Sequence, residues 1–250
     1  MPLVHVEAGD GVARVTLDDP ARRNILSGPL VDDLTAAFDE LEAHGDVTAV
    51  VLTGAGPAFC AGADLADLLA AAEGDLTGLH RVYGGFDRVR RSPLVTIAAV
   101  NGAVVGAGLN LALVCDVRVA GASAWFDCRF AAIGLHPGGG HLRMLQELVG
   151  PQTAAAMALC RRRLDAAAAQ AAGLVLEATA DDELLPAADA LARAAAAGPG
   201  ELVLLTKRSL HEERTLTAEQ AMAVEEERQL WSLQLPSTAA ALRAGARTGR

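Results

Sequence analysis

The sequence predicts an α/β fold with a C-terminal helical appendage. Three observations carry that expectation. Strand–loop–helix units recur three times before Gly150. Ala-rich amphipathic helical stretches dominate after it. Finally, 52% of the 250 residues are hydrophobic, enough to fill a large core. Aromatic residues make up only 3%, so that core is built from closely packed Ala, Leu and Val.

The elements follow in order. Val4 to Glu7 and Val12 to Leu17 read as a hairpin closed by Gly9-Asp10-Gly11. After the loop Asp18 to Asn24, Ser27 is placed to cap a helix with the apolar stripe Leu30, Leu34, Ala37, Phe38 and Leu41, which His44-Gly45 ends. Val47 to Leu52 is continuously apolar, the pattern of a strand covered on both faces. The loop Thr53 to Cys60 leads through Ala61-Gly62-Ala63-Asp64-Leu65 into a helix. A more polar helical stretch, Leu79 to Arg91, precedes the strand Leu94 to Val100. Asn101-Gly102 turns the chain into a second Gly-broken loop and a helix near Gly106. Val117 to Ala120 and Ala124 to Phe126 read as short strands. The loop His136-Pro137-Gly138-Gly139-Gly140 opens a helix from His141 to Val149. Beyond Gly150 one strand-like piece, Leu174 to Ala178, interrupts the helices, and charged helical stretches with Trp231 close the chain. The division expected is a core of residues 1–195 and a helical region of residues 196–250.

Composition excludes several function classes. The net charge is −10, from 21 Lys and Arg against 31 Asp and Glu, so a phosphate backbone is repelled and nucleic acid is not expected as a partner. No charge occurs from Ser92 to Cys115, a length that reaches across a bilayer, but Pro93, Asn101-Gly102, Gly106, Gly108 and Asn110 divide it into a strand and a buried helix. No membrane association is expected. The N-terminal residues lack a basic region followed by an apolar run, so the expected location is cytoplasmic. Cys60, Cys115, Cys128 and Cys160 form no CxxC pair and read as buried reduced thiols. No HxxxH or HExxH spacing offers a metal site, and no GxSxG offers a serine nucleophile.

Three Gly-rich loops each follow a strand and open a helix, where unpaired N–H groups accept anions or developing oxyanions. Gly54-Ala55-Gly56-Pro57-Ala58-Phe59 and Gly106-Ala107-Gly108-Leu109-Asn110-Leu111 both lack the third glycine of a dinucleotide-binding turn, and no Walker pattern occurs. Taken together, however, the loops are specific. Phe59-Cys60-Ala61-Gly62-Ala63-Asp64-Leu65, then Asn101-Gly102 with Gly106-Ala107-Gly108, then Gly134-Leu135-His136-Pro137-Gly138-Gly139-Gly140, resemble the crotonase (enoyl-CoA hydratase/isomerase) superfamily. So do Asp18-Asp19-Pro20 with Asn24, Cys115-Asp116-Val117-Arg118-Val119-Ala120, and Lys207; the resemblance covers nearly the whole chain.

The resemblance implies a spiral of ββα turns, C-terminal helices that assemble homotrimers often paired into homohexamers, and an acyl-CoA thioester as substrate. Coenzyme A enters as part of that substrate, and no permanently bound cofactor is expected. By motif position the oxyanion hole is the backbone N–H of Ala63 and of Ala107, the latter standing where glycine is usual. Each such donor is worth about 3–4 kcal/mol to a developing oxyanion where one has been removed. The family binds the CoA adenine and pantetheine along Ala61, Gly62, Ala63, Asp64 and Leu65. By position, Arg22 and Arg23 in the preceding loop are candidates for the CoA phosphates, as is Lys207 from its own or a neighbouring subunit.

The departures concern proton transfer. The two glutamates that hydratases of this family use correspond to Asn110 and Phe130, neither of which exchanges a proton near pH 7. A later acid found in some branches corresponds to Gly138. His136 and His141 flank the third loop, and His136 reads as the better substitute, with His141 a helix cap. Asp127, by strand alternation, faces away from residue 130 as a structural or surface acid, and Asp64 caps the helix that follows it. Two functions fit these residues: an acyl-CoA enzyme of the hydratase/isomerase kind with weak hydration or another acyl-CoA reaction, and a catalytically silent acyl-CoA-binding protein.

Overall fold

The computed structural model describes residues 2–248, with side chains to residue 243. The hairpin is β1 (Val4–Gly9) and β2 (Val12–Leu17), antiparallel, with Val4 opposite Leu17. The chain then alternates between two sheets. The apolar run forms β3 (Ala49–Gly54) and continues into β4 (Ala58–Cys60). The same pairing recurs as β5 (Val95–Val100) with β6 (Ala103–Val105), and as β7 (Val117–Gly121) with β8 (Trp125–Asp127). With β9 (Leu164–Asp165) and β10 (Glu177–Thr179), the strand orders are β1-β2-β3-β5-β7-β10 and β4-β6-β8-β9. β3, β5 and β7 are parallel neighbours in one sheet, and β4, β6 and β8 in the other. Three successive turns of chain therefore each lay one strand on each sheet, and the stack is a spiral of ββα units.

The helices fill the intervals. α1 (Gly28–His44) buries Leu30, Val31, Leu34, Ala37, Phe38 and Leu41, and Gly45 ends it at φ 72°. Ser27 holds the N-cap position without capping: its hydroxyl is buried and has no partner among the described residues. α2 (Leu65–Ala72) and α3 (Thr77–Arg91) follow β4, and α4 (Ala107–Leu113) follows β6. α5 (His141–Ala158) follows a 3₁₀ turn, Phe130–Ile133, and runs past the expected end at Val149 by kinking at Gly150 (φ 72°, ψ 168°) before Pro151. α6 (Ala166–Ala171), α7 (Leu184–Ala196), α8 (Gly200–Glu212), α9 (Ala218–Leu233) and α10 (Pro236–Thr248) complete the chain.

β3 is buried along its whole length because both faces are covered. Val50 and Leu52 join the main core with α1, while Ala49 and Val51 join Leu184, Ala188 and Ala192 of α7. The uncharged stretch after Ser92 becomes β5, a turn, β6 and α4, all within this core. Among the described residues no helix is long and apolar enough to cross a membrane. The strand expected at Leu174 to Ala178 is displaced to Glu177–Thr179. Leu174 is held out of the ladder because its carbonyl accepts from the buried Arg118 Nε at 2.8 Å. Cys160 is exposed rather than buried; Cys60, Cys115 and Cys128 are buried, and all four are free thiols.

The boundary expected after residue 195 falls at the end of α7, and the helix beyond it is tied back to the core. Lys207 Nζ of α8 lies 2.7 Å from Asp116 Oδ2 and donates to the Leu94 carbonyl, while His211 Nε2 lies 3.0 Å from Asp116 Oδ1. Thr96 adds its N–H and hydroxyl to the same carboxylate. Burial pushes the Asp116 carboxyl up, but the Lys207 ammonium and these hydrogen bonds outweigh burial and hold it below its ordinary value. Replacing Asp116 by Ala leaves a buried ammonium without its counter-charge and is expected to lower the unfolding free energy in urea by about 3–4 kcal/mol; a loss below about 1 kcal/mol contradicts this account. Since the folded carboxyl titrates below the unfolded one, its stabilising contribution is complete above about pH 4 and is lost as the pH falls through the folded value.

Candidate functional site

The site begins where two parallel strands end side by side. β4 pairs with β6 (Ala58 with Ala103, Cys60 with Val104), so the segments that leave them, Ala61 to Ala63 and Gly106 to Gly108, run out together. Their approach is backbone to backbone. A Cβ at Gly108 would overlap the Cys60 carbonyl, and one at Gly62 would lie 3.2 Å from the Val105 oxygen. Only chains without side chains at these two points come this close, which sets Ala63 and Ala107 beside each other past the strand ends. Among the described residues neither the Ala63 nor the Ala107 N–H donates to a protein acceptor. Two amides without a protein acceptor among the described residues thus follow adjacent strand ends.

The loop before α1 holds this segment in place. Leu26 N–H donates to the Gly62 carbonyl at 2.8 Å, and Ala61 N–H to the Arg23 carbonyl at 3.0 Å. Asn24, fully buried and left-handed at φ 55°, donates from Nδ2 to the Ala55 and Ala58 carbonyls and accepts from Asp19 N–H. Asn101 repeats the device, accepting from Gly54 N–H and donating to the Gly56 carbonyl. Asp64 caps α2 through Ala66 N–H at 3.0 Å, and its other oxygen pairs with Arg22. The Ala66 N–H, ahead of Arg22, holds this carboxyl below its ordinary value. Arg22 also lies 3.8 Å from Asp19, whereas Arg23 is exposed. Leu65, the first residue of α2, is exposed.

One turn after Ala107, Asn110 lies in a buried polar chain (Asn110, His141 and Cys128 are all at most 2% exposed). Its Nδ2 donates to the Gly138 carbonyl at 3.0 Å, and its Oδ1 lies 2.5 Å from His141 Nδ1. His141 Nε2 lies 3.2 Å from Cys128 Sγ. A carbonyl only accepts, so the amide nitrogen must face Gly138 and the amide oxygen must face His141. His141 therefore carries its proton on Nδ1, and Nε2 accepts from the Cys128 thiol. One tautomer fits all three contacts. Burial lowers His141 to about 4 and pushes the Cys128 thiol up to about 12, Asp127 adding to the latter, so the whole chain is neutral at pH 7.

Phe130 sits in the 3₁₀ turn rather than on a strand, its ring edge-on to His141 with centroids 4.9 Å apart. A Cβ at Gly106 would lie 4.0 Å from Phe130 Cζ, so this ring also borders the Ala107 segment. Positions 110 and 130 thus come together around one imidazole. Asp127 is a buried structural acid, bonded to Arg163 Nε and the Arg129 N–H at 2.8 Å each.

Three expectations need correction. His136, ranked first from the sequence, is exposed, with Nδ1 on the Pro137 carbonyl, outside the buried chain. His141 does not cap α5: Gly140 holds that position and the imidazole is turned inward. Lys207 is buried between Asp116 and Leu94, so its ammonium is spent inside the protein instead of facing a CoA phosphate. The signal that was missed is periodic. His141, Leu145 and Val149 recur every fourth residue and form the buried stripe of α5, so His141 belongs to the core-facing side. A cleft of about 880 Å³ opens elsewhere, between the end of α3, α8 and α9, and none of Ala63, Ala107, Asn110 or Phe130 lines it.

Residues 7–237 match the family described as enoyl-CoA hydratase/isomerase. A Mycobacterium tuberculosis protein named "Probable enoyl-CoA hydratase EchA14" is 51% identical over 201 residues, covering 80% of this chain and 77% of that protein. A Rhodobacter capsulatus protein named "Probable enoyl-CoA hydratase" is 38% identical over 209 residues, 83% of this chain and 80% of that one. Among solved structures, an enoyl-CoA hydratase from Bacillus anthracis superposes with a TM-score of 0.91 at 25% identity, covering 98% of this chain and 96% of that one. One from Polaromonas gives 0.89 at 27% identity, covering 99% and 97%.

The neutral state of His141 is measurable. In a nitrogen-detected NMR titration its ring is expected to hold the Nδ1–H tautomer at pH 7 and to titrate near pH 4; protonation near its ordinary 6.5 contradicts the buried chain. The unfolded chain binds this proton near pH 6.5 and the folded chain does not until about pH 4, so stability falls as the pH drops across that window. A His141→Phe variant is expected to lack that part of the acid sensitivity.

Proposed function

The chain belongs to the enoyl-CoA hydratase/isomerase family, and from that premise we propose that it binds an acyl-CoA thioester and stabilises the thioester's enolate on the amides of Ala63 and Ala107. The observation that carries this reading is the pair of unspent N–H groups at adjacent strand ends. Removing a proton beside a thioester carbonyl, or adding a nucleophile conjugate to it, moves negative charge onto the carbonyl oxygen. Two fixed donors stabilise that charge without reorganising in the reaction.

The residues around the cradle divide the remaining tasks. The segment Ala61 to Leu65 runs alongside the pantetheine and adenine, with Arg22 and Arg23 at the phosphate end. Arg22 is already paired with Asp64, so Arg23 is the freer cation of the two. At the acyl end, Asn110 and Phe130 stand where hydratases of the family carry their glutamates, and neither moves a proton. Hydration is therefore weak or replaced by another acyl-CoA reaction. A second reading, a silent acyl-CoA-binding protein, is favoured by one specific observation: the neutral, fully buried Asn110–His141–Cys128 chain holds no group that ionises near pH 7. For assembly we propose a homotrimer or homohexamer through the C-terminal helices, because α9 buries none of its residues and exposes Met222, Leu230 and Leu233.

Two measurements test this function. Hydration of crotonyl-CoA, followed by loss of enoyl absorbance, is expected to run at least about 10⁴-fold below that of a two-glutamate relative, since each missing acid–base group contributes about 10²–10⁴-fold. A rate equal to such a relative contradicts the roles given to positions 110 and 130. Ala107 is the first residue of α4, where proline is tolerated, so Ala107→Pro deletes one donor and keeps the helix. It is expected to weaken acyl-CoA binding about tenfold, the worth of one net hydrogen bond, while CoA lacking an acyl group is unaffected. Equal loss for both ligands, or none, removes the Ala107 amide from the site.

A further inference from the structure

Asn110 is a carboxamide with one hydrogen left over. Its oxygen is taken by His141 Nδ1–H and one of its two N–H groups by the Gly138 carbonyl. Among the described residues the second N–H has no acceptor, although the side chain is only 1% exposed. A buried donor left unmatched is disfavoured and calls for a partner the protein does not itself supply. The amide is planar and pinned at two atoms, so this N–H cannot rotate away to find one.

Its surroundings are shaped to keep it there. A Cβ at Gly139 would overlap the Phe86 ring and lie 3.0 Å from Asn110 Nδ2, so the loop passes the amide with no side chain between them. Asn110 is three residues beyond Ala107 on α4, a rise of about 4.5 Å, and helical side chains lean back toward the N-terminus. A side chain leaning that way carries the free N–H toward the end of α4 that Ala107 opens.

We propose that Asn110 is a specificity-determining donor that selects acyl-CoA esters presenting an acceptor oxygen at the third acyl position, either on C3 or in its place, and that His141 is the positioning residue that helps to hold it as a donor. This rests on the reading of Ala63 and Ala107 as the thioester cradle. A 3-oxo group accepts and does not donate, so it satisfies the orphan N–H, whereas a methylene leaves it unmatched. His141 acts through Asn110 alone. The Gly138 carbonyl sets the direction of the carboxamide, and Nδ1–H on the amide oxygen holds it against a flip that would present its acceptor.

Calorimetric titration of the full-length protein with three four-carbon-length esters decides the matter. The ligands are butyryl-CoA, acetoacetyl-CoA, and methoxyacetyl-CoA, in which an ether oxygen replaces C3 and no 3-oxo enolate can form. Both oxygen-bearing esters are expected to bind about 5-fold more tightly than butyryl-CoA, the gain of one satisfied donor. Asn110→Leu is expected to bring both ratios to about one, and His141→Phe to lower them with no contact to the ligand. The ratio is internal to each variant, so a general loss of stability does not mimic it. Equal affinities for methoxyacetyl- and butyryl-CoA in the unaltered protein overturn the proposal, as does a preference that survives Asn110→Leu. A preference for acetoacetyl-CoA alone also overturns it, because enolate charge on the two backbone amides then accounts for the difference. Binding of all three without preference leaves the cradle standing and removes only the selectivity, whereas binding of none removes the cradle and the selectivity with it.

Discussion

The close passage of Cys60 to Ala63 against Val105 to Gly108 is the constraint on which this molecule turns. Two parallel strands deliver the segments side by side, and at Gly108 a single methyl group would overlap the Cys60 carbonyl. Packing of backbone on backbone leaves no room for side chains to satisfy the amides that follow, so Ala63 and Ala107 keep their N–H groups open. Much of the surrounding polar structure defends that arrangement. Asn24 and Asn101 each bind carbonyls of the loop before β4, and Leu26 and Arg23 hold the turn itself. The spiral brings one loop from each of two successive turns to the same place.

Around that cradle the electrostatics are unusual for a site suited to proton transfer. The groups at the acyl end form a chain of neutral donors and acceptors that ends on a backbone carbonyl. Charge begins at the Arg22–Asp64 pair next to Ala63 and the Arg163–Asp127 pair next to Cys128, and continues in the Asp116–Lys207 pair that fastens α8. On the proposed reading, a neutral, low-dielectric interior strengthens the pull of the two amide dipoles on a thioester oxygen while supplying no base of its own, and the amide at 110 and the ring at 130 move no proton.

Most of the fold was legible because it rests on local signals. The run Val47 to Leu52 announced a doubly covered strand, Gly45 a helix end, and the three Gly-rich loops the strand–helix junctions; each needs only neighbouring residues to be read. What escaped depends on distant partners. Nothing near Leu174 shows that Arg118, fifty-six positions earlier in sequence, claims its carbonyl and displaces a strand. Lys207 reads as a free surface cation until Asp116 is folded against it. The placement of the two histidines escaped for the same reason. His136 lies in the more suggestive loop, but the four-residue spacing of His141, Leu145 and Val149 already placed His141 on the inward stripe. Its partners, Asn110 and Cys128, come from two other segments, which only tertiary structure unites.

The central claim is that one carbonyl oxygen receives two main-chain hydrogen bonds. Infrared difference spectroscopy with an acyl-CoA carrying ¹³C at the thioester carbonyl observes that oxygen directly. On binding, the isotope-edited carbonyl band is expected to move to lower wavenumber than in water, because two preorganised donors in a dry site polarise the bond more than solvent does. A band that stays at its aqueous position, or moves to higher wavenumber as in an apolar pocket, contradicts the cradle at Ala63 and Ala107.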